Sequence, residues 1–341
     1  MIRKVDLRSD TVTRPTPAML QAMMKAEVGD DVIDKDPTTQ KLEEMAASIW
    51  GFEAAIFCPS GTMCNQIAIM AHTQPGDEVI CHRLSHIYWY EGGGIAANAH
   101  CSIRLLDGEH GIISPESLAH NINSIDDHHA RSALLSLENT VNKAGGTCYT
   151  AAQIRALADE GHRLGLKVHL DGARIYNALI HNNEQPADYH RSVDSMSICL
   201  SKGLGCPVGS LLLGSVDFIT RAKRIRKRLG GGMRQSGFLA AAGIFALENH
   251  IHRLAEDHER ARKLADGLKA SSWVSEVVPP QTNIVLFKSK KNPFEMAEKL
   301  EKHGIRLIYM GQGWLRLVTH LDITDDDIKY CLEVFSTHDL D

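Results

Sequence analysis

The sequence predicts an α/β protein: a mainly parallel sheet covered by helices on both faces, followed by a small α+β unit. Short apolar runs alternate with helical patterns from about residue 54 to residue 214, the order that builds parallel sheets. Several of these runs end in glycine-rich or polar turns, where open α/β sheets gather their ligands. After residue 280 three more strand-like runs are interleaved with helical ones, which sets a smaller unit apart. The expected division is an arm with helices over 1–50, a large domain over 51–250 and a small domain over 251–341.

A chain of 341 residues with 43% hydrophobic content suits that plan. The net charge of -5 and a pI near 6.4 leave no basic footprint, so nucleic acid is not an expected partner. No N-terminal stretch has the form of a signal peptide, and no apolar run reaches the roughly 20 residues a membrane span needs. The expected location is the cytoplasm, with no membrane partner. The eight cysteines are scattered, without the paired spacing of a zinc site, and read as buried free thiols; no metal is expected.

Taken in order, the arm Val5 to Pro15 is too polar for a core strand and rich in hydroxyls. Thr16-Pro17 reads as the cap and first turn of a helix to about Lys25, and a second helix follows the acidic stretch, from about Thr38 to Trp50. Ala54 to Cys58 is strand-like and enters Pro59-Ser60-Gly61-Thr62, after which Gln66 to Ala71 looks helical. A strand, a glycine turn and a helix start place free N–H groups and the positive end of a helix at one point, which suits a phosphate. Val79 to His82 is the next strand, followed by the aromatic segment His86 to Tyr90, any ring of which could lie on a flat cofactor.

Cys101 to Leu106 reads as a strand and Ser114 to Asn121 as a helix. Ala133 to Leu137 is a strand ending in the polar cluster Glu138-Asn139-Thr140, and Ala151 to Leu164 is an amphipathic helix. The strand in Val168-His169-Leu170 delivers Asp171 to a Gly172-Ala173 turn, and Ser195 to Leu200 delivers Lys202 to a turn of small residues. Leu211 to Gly214 continues the sheet. Arg221 to Arg228 holds four Arg and two Lys on a helix, and Gly230-Gly231-Gly232-Met233-Arg234 follows as a turn. A long polar helix starts near His252. The small unit has strands at Asn283–Phe287, Arg306–Tyr309 and Trp314–Thr319 and helices near 293–303 and 324–336.

One acid and one amine at the ends of two apolar strands are the pair that pyridoxal phosphate asks of a protein. The amine condenses with its aldehyde once desolvation or a neighbouring cation helps it shed a proton. The acid faces the pyridine nitrogen and keeps the ring an electron sink. Arg174, three residues after Asp171, could grip a carboxylate with its planar fork. Arg316 lies inside an apolar run, where its charge needs a partner such as a bound carboxylate.

In these positions LRSDTVTRP, DGAR, CLSKGLG-PVGS, GGGMRQSG and RLVTHLD resemble the low-specificity L-threonine aldolases of the fold-type I pyridoxal-phosphate enzymes, over Asp6 to about Ile328. The resemblance implies a large domain with a mainly parallel seven-stranded sheet, a small C-terminal α+β domain, and cleavage of β-hydroxy-α-amino acids such as L-threonine and L-allo-threonine to glycine and an aldehyde. It assigns Lys202 and Asp171 to the cofactor, Gly61 and Thr62 to its phosphate, His86 to its ring face, and Glu91 to the matching acidic position. Ser9, Arg174 and Arg316 are to hold the substrate carboxylate, with Arg174 also against the cofactor. His128 aligns with a histidine near the substrate hydroxyl, so His128, His86 or an ordered water is the expected base. Lys227 and Arg234 are expected to reach the cofactor phosphate of a neighbouring subunit, which makes the protein a homo-oligomer, at least a dimer and on expectation a tetramer. Val141 stands where the family usually has histidine. The alternatives are β-elimination or transamination with the same cofactor, and a non-catalytic cofactor-binding protein.

Overall fold

Seven apolar runs pair into one sheet in the structure, a computed structural model that describes residues 3–189, 191–337 and 340. In chain order the strands are β1 (Val5–Asp6), β2 (Ala54–Cys58), β3 (Glu78–His82), β4 (Ser102–Leu106), β5 (Ser132–Glu138), β6 (Lys167–Gly172), β7 (Ser195–Cys199), β8 (Ser210–Gly214), β9 (Val274–Val278), β10 (Ile284–Ser289), β11 (Ile305–Arg306), β12 (Ile308–Gly311) and β13 (Trp314–Val318). The large sheet has the order β2-β8-β7-β6-β5-β3-β4. Five strands, β7 through β4 in that order, are mutually parallel, and β8 runs antiparallel to both of its neighbours. Every residue of β3, β7 and β8 is buried. Helices on both faces exclude water, so these strands read as continuous apolar runs rather than alternating ones.

Capping sets where the early helices begin. In α1 (Pro17–Met24) the Thr16 side chain accepts from Met19 N, and in α2 (Pro37–Trp50) Asp36 accepts from Thr39 N. Both place proline in the first turn, where its missing N–H costs nothing. Helix α3 (Gly61–His72) starts five residues before the expected Gln66, because Ser60 accepts from Met63 N and caps it there. Gly61 and Thr62 are weak helix formers, which hid this start in the sequence. A single turn, α4 (His86–Trp89), follows β3.

The second sheet, β12-β13-β10-β9, is antiparallel and has four strands rather than three. Strand β9 escaped notice because Ser275 and Glu276 face solvent and break its apolar pattern. The expected strand Arg306–Tyr309 divides at Leu307: β12 joins β13, whereas β11 pairs in parallel with β1. Val5 and Leu7 thereby enter a core with Leu264, Phe287, Ile305 and Leu317. The arm is anchored at one end by this core, which carries its next residues towards the carboxyl ends of the large sheet.

Candidate active site

Parallel strands leave their carboxyl ends side by side, and three of them bring chemistry to one place. Asp171 near the end of β6 is in register with Glu138 at the end of β5, and β7 stops three residues before Lys202. Helix α3 brings its first residues to the same point. A cavity of about 140 Å³ is lined by Gly61, Thr62, Asn65, His86, Asp171 and Lys202, among others. Glycine is required at 61 by close approach: a Cβ there would lie 2.6 Å from Cys199 Sγ.

Asp171 accepts from Asn65 Nδ2 at 2.8 Å and from Ala173 N at 3.0 Å. The same Asn65 nitrogen donates to Glu91 Oε1 at 2.8 Å, and Gln66 Nε2 donates to the other oxygen of Glu91 at 2.7 Å. His86 Nδ1 lies 3.0 Å from Glu91 Oε1, with the carboxylate oxygen as acceptor and the imidazole N–H as donor. Burial draws the His86 pKa down, but the Glu91 hydrogen bond and the charges of Asp171 and Glu138 overcome it and leave it raised. His86, Glu91 and Asp171 hold ligand-type atoms within 4.8 Å of one another, a grouping that Asn65 and the His86 N–H knit together with hydrogen bonds.

Glu138 was not foreseen. Burial and the Asp171 charge push its carboxyl up to about 7. It accepts from His86 N at 2.7 Å and from Asn142 N at 2.9 Å, tying the start of α4 to the loop after β5. Asn142 Oδ1 in turn accepts from Arg316 Nη1 at 2.7 Å.

The arm enters through Asp10. Its carboxylate, fully buried, takes two parallel hydrogen bonds of 2.7 Å from Arg174 Nε and Nη2 and one of 3.2 Å from Asn283 Nδ2. Burial alone would raise Asp10; the Arg174 charge and hydrogen bonds reverse this and hold it well below the usual carboxylate range. The fork that the sequence offered to a substrate therefore grips Asp10 instead, through Nε and Nη2. Ser9 sits beside this pair, its hydroxyl capping Asp10–Val12 by accepting from Thr11 N at 3.2 Å.

Arg316 keeps a donor in reserve. Nη2 donates to the Arg8 carbonyl at 3.1 Å, but Nε is buried with no hydrogen-bond partner. Burial and the neighbouring Arg174 charge pull its pKa down to about 10. A buried guanidinium with an unmatched N–H fits an anionic ligand.

The expectation for His128 fails within a single chain. The His128 side chain is 90% exposed, in a loop before the amino end of β5, whereas Asp171 lies beside the carboxyl end of that strand. Seven residues at ~3.3 Å per residue put β5 alone at roughly 20 Å, so His128 cannot act as base on a substrate held by its own chain. Lys227 and Arg234 are exposed and line no part of the cavity; Arg234 Nη1 donates to Asp30 at 2.9 Å. Val141, in place of a histidine, is buried in the core, so the loop carries no imidazole there. Sequence reasoning also passed over Asn65, His169, Asp10 and Asn142. The signal for Asn65 was its place one turn after the Ser60 cap, and for Asp10 its charge beside capping hydroxyls.

Among the described residues no helix is long and apolar enough to cross a membrane. A family model described as beta-eliminating lyase matches residues 6–292. The chain is 42% identical to the low specificity L-threonine aldolase of Escherichia coli (strain K12), covering 95% of this chain and 96% of that one. A threonine aldolase structure from Leishmania major is 22% identical with a TM-score of 0.83, covering 97% of this chain and 98% of that one. A structure of SPT with PLP is 17% identical with a TM-score of 0.73, covering 97% and 86%.

Proposed function

The chain belongs to the beta-eliminating lyase family and, within it, to the low-specificity L-threonine aldolases, and from that premise we propose that its cavity holds pyridoxal phosphate and an amino-acid substrate in the roles set out below. The enzyme is a carbon–carbon lyase that cleaves L-threonine and L-allo-threonine to glycine and acetaldehyde. The observation that carries the reading is the convergence of an amine, a carboxylate and a helix N-terminus on one cavity. Incubating the protein with threonine and measuring acetaldehyde and glycine tests it. Ammonia and a keto acid in their place would instead establish elimination.

The residues fit the cofactor by the close-packed glycine at 61 and by an amine, Lys202, and a doubly hydrogen-bonded carboxylate, Asp171, on one cavity. When bound, pyridoxal phosphate supplies an aldehyde that condenses with amines and a ring that takes up the electrons of a bond broken at Cα. Gly61 and Thr62, at the start of α3, offer N–H groups to the phosphate. Asp171, its carboxyl fixed by two donors, would hold the ring nitrogen. His86 covers a ring face, held by Glu91. Lys202 would hold the cofactor through its amine, the cavity group able to condense with an aldehyde. Arg316 Nε and Arg174 Nη1 take the substrate carboxylate beside Ser9. His86 is the imidazole of the cavity, so removal of the β-hydroxyl proton falls to it or to a water it orders, with His128 of the same chain out of reach.

Arg316→Ala is expected to raise KM for threonine roughly 30- to 100-fold, the loss of a charge-assisted contact worth about 2–3 kcal/mol, with cofactor affinity within a few-fold of wild type. Titration with threonine and with pyridoxal phosphate separates the two. Equal affinity for threonine would remove Arg316 from the carboxylate site.

Oligomerisation completes the site on this reading, because Lys227 and Arg234 are exposed and lie away from their own cavity. Lys202→Ala and Arg234→Ala, each impaired alone, are expected to regain activity when unfolded and refolded together. A mixed dimer has one site with both residues intact. Absence of any recovery would place Arg234 with its own chain's chemistry or with none.

A further inference from the structure

Asn65 is placed to set the distance between the two groups that bracket the cofactor ring. Its one side-chain nitrogen donates to Asp171, which would hold the ring nitrogen on the reading above, and to Glu91, which positions His86. Behind it runs a line of hydrogen bonds away from the cavity. His169 Nε2 lies 3.1 Å from Asn65 Oδ1, His169 Nδ1 lies 2.9 Å from Ser195 Oγ, and Ser195 Oγ lies 2.8 Å from His72 Nε2. His169 and Ser195 are fully buried.

The direction of every bond in this line follows from its carboxylate end. Asn65 turns its NH2 to the two carboxylates, whose oxygens accept, and so presents its oxygen to the interior. That oxygen then accepts from Ser197 Oγ at 2.9 Å and from His169, which requires a proton on His169 Nε2. Burial draws His169 down to about 4 and His72 down to about 3, so both are neutral near pH 7 and His169 carries one proton only. Its Nδ1 is bare and accepts from the Ser195 hydroxyl, and the Ser195 oxygen accepts from His72 Nε2. A neutral imidazole that donated from Nδ1 would leave two acceptors facing each other at Asn65.

We propose that Ser195, His169 and Asn65 are positioning residues for the reaction: a one-way chain of neutral donors that locks the Asn65 amide so that it holds Asp171 and Glu91 together around the ring. This rests on the cofactor reading above. The chain ends at His72, whose ring stacks on Phe218 with centroids 4.5 Å apart, so its far end is fixed by packing as well. No proton need travel along it. Its effect is on where the two carboxylates sit, as outer ligands act on a metal site.

The test has two arms. In the cofactor-free protein, long-range 15N–1H correlation spectra should show His169, identified by the signal lost in His169→Phe, as the neutral Nε2–H tautomer between pH 6 and pH 9. Ser195→Ala should keep the Nε2–H tautomer that Asn65 Oδ1 requires and shift the Nδ1 resonance, which loses its donor. In the loaded enzyme, His169→Phe should shift the pH midpoint of the cofactor's visible absorption by roughly half a unit or more and lower kcat about 10-fold, with KM for threonine within about twofold. His169→Gln, which can still donate to Asn65, should recover most of both. An Nδ1–H tautomer, or a His169 that titrates near neutrality, would overturn the proposal, as would an unchanged absorption midpoint in a His169→Phe protein whose only change is a lower melting temperature. If His169→Phe does not fold, Ser195→Ala decides by the same spectra. Wild-type protein that neither colours with pyridoxal phosphate nor cleaves threonine would sink the functional reading instead, and the tautomer result would stand apart from it.

Discussion

Lys202→Ala is expected to lose threonine cleavage by at least ~10³-fold and to lose the visible absorption that the wild type shows with pyridoxal phosphate. The side chain lines the cavity beside Asp171 and the start of α3, and a lysine is the one cavity residue there that can condense with an aldehyde. Structural damage is not the expected cause. The Lys202 carbonyl, which accepts from Thr13 Oγ1 at 3.2 Å, is backbone and survives the substitution, and the side chain is only half-buried. Melting temperature should therefore stay close to wild type while turnover vanishes. The cofactor should still bind through the α3 amides and Asp171, with weakened affinity. Turnover within about tenfold of wild type would show that the amine does not do this chemistry, and loss of both activity and folding would be answered by Lys202→Arg, which keeps charge and length but cannot form the bond.

Legibility in the sequence followed how local each feature is. The large sheet was readable because buried parallel strands are continuous apolar runs, and Asp171 and Lys202 stood out because each closes such a run. Strand β9 was not, since its two exposed polar residues mimic a loop. Within the site, residues that touch the cavity from a strand end or a helix start were visible, whereas those that act through another residue were not. Asn65 looks like any residue inside a helix until β6 supplies Asp171 106 positions later. Glu138 reads as the polar end of a strand; only the parallel register with Asp171 sets two carboxylates side by side and raises one of them. Arg174 was found but given a freer fork than it has, because nothing local marks Asp10, 164 residues away, as its partner. His128 shows the opposite error: a resemblance places it in a reaction, and the strand geometry keeps it away from its own chain's cavity.

That pairing of Asp10 with Arg174 sets the largest expected stability effect. Asp10→Ala is expected to destabilise the protein by about 3–5 kcal/mol, because it strands a buried guanidinium whose only strong compensation is that carboxylate. A melting temperature lower by on the order of 10 °C would accompany it. Asp10→Leu with Arg174→Met, which removes both charges and keeps apolar volume, should regain most of that stability without regaining activity, since Arg174 Nη1 and the orientation of the arm go with it. The pH dependence has a definite sign. Asp10 is held below its ordinary value of 3.8, so its contribution is complete above that value and is lost as pH falls through the lower value of the folded state. Wild type should lose stability steadily below about pH 4, and Asp10→Asn, already lacking the charge, should lose less over the same interval. Chemical unfolding at pH 6 and at pH 3 measures the difference. Equal losses in the two proteins would mean that the carboxylate is not ionised in the folded state, and the arm would then owe its place to Val5 and Leu7 in the second core rather than to the ion pair.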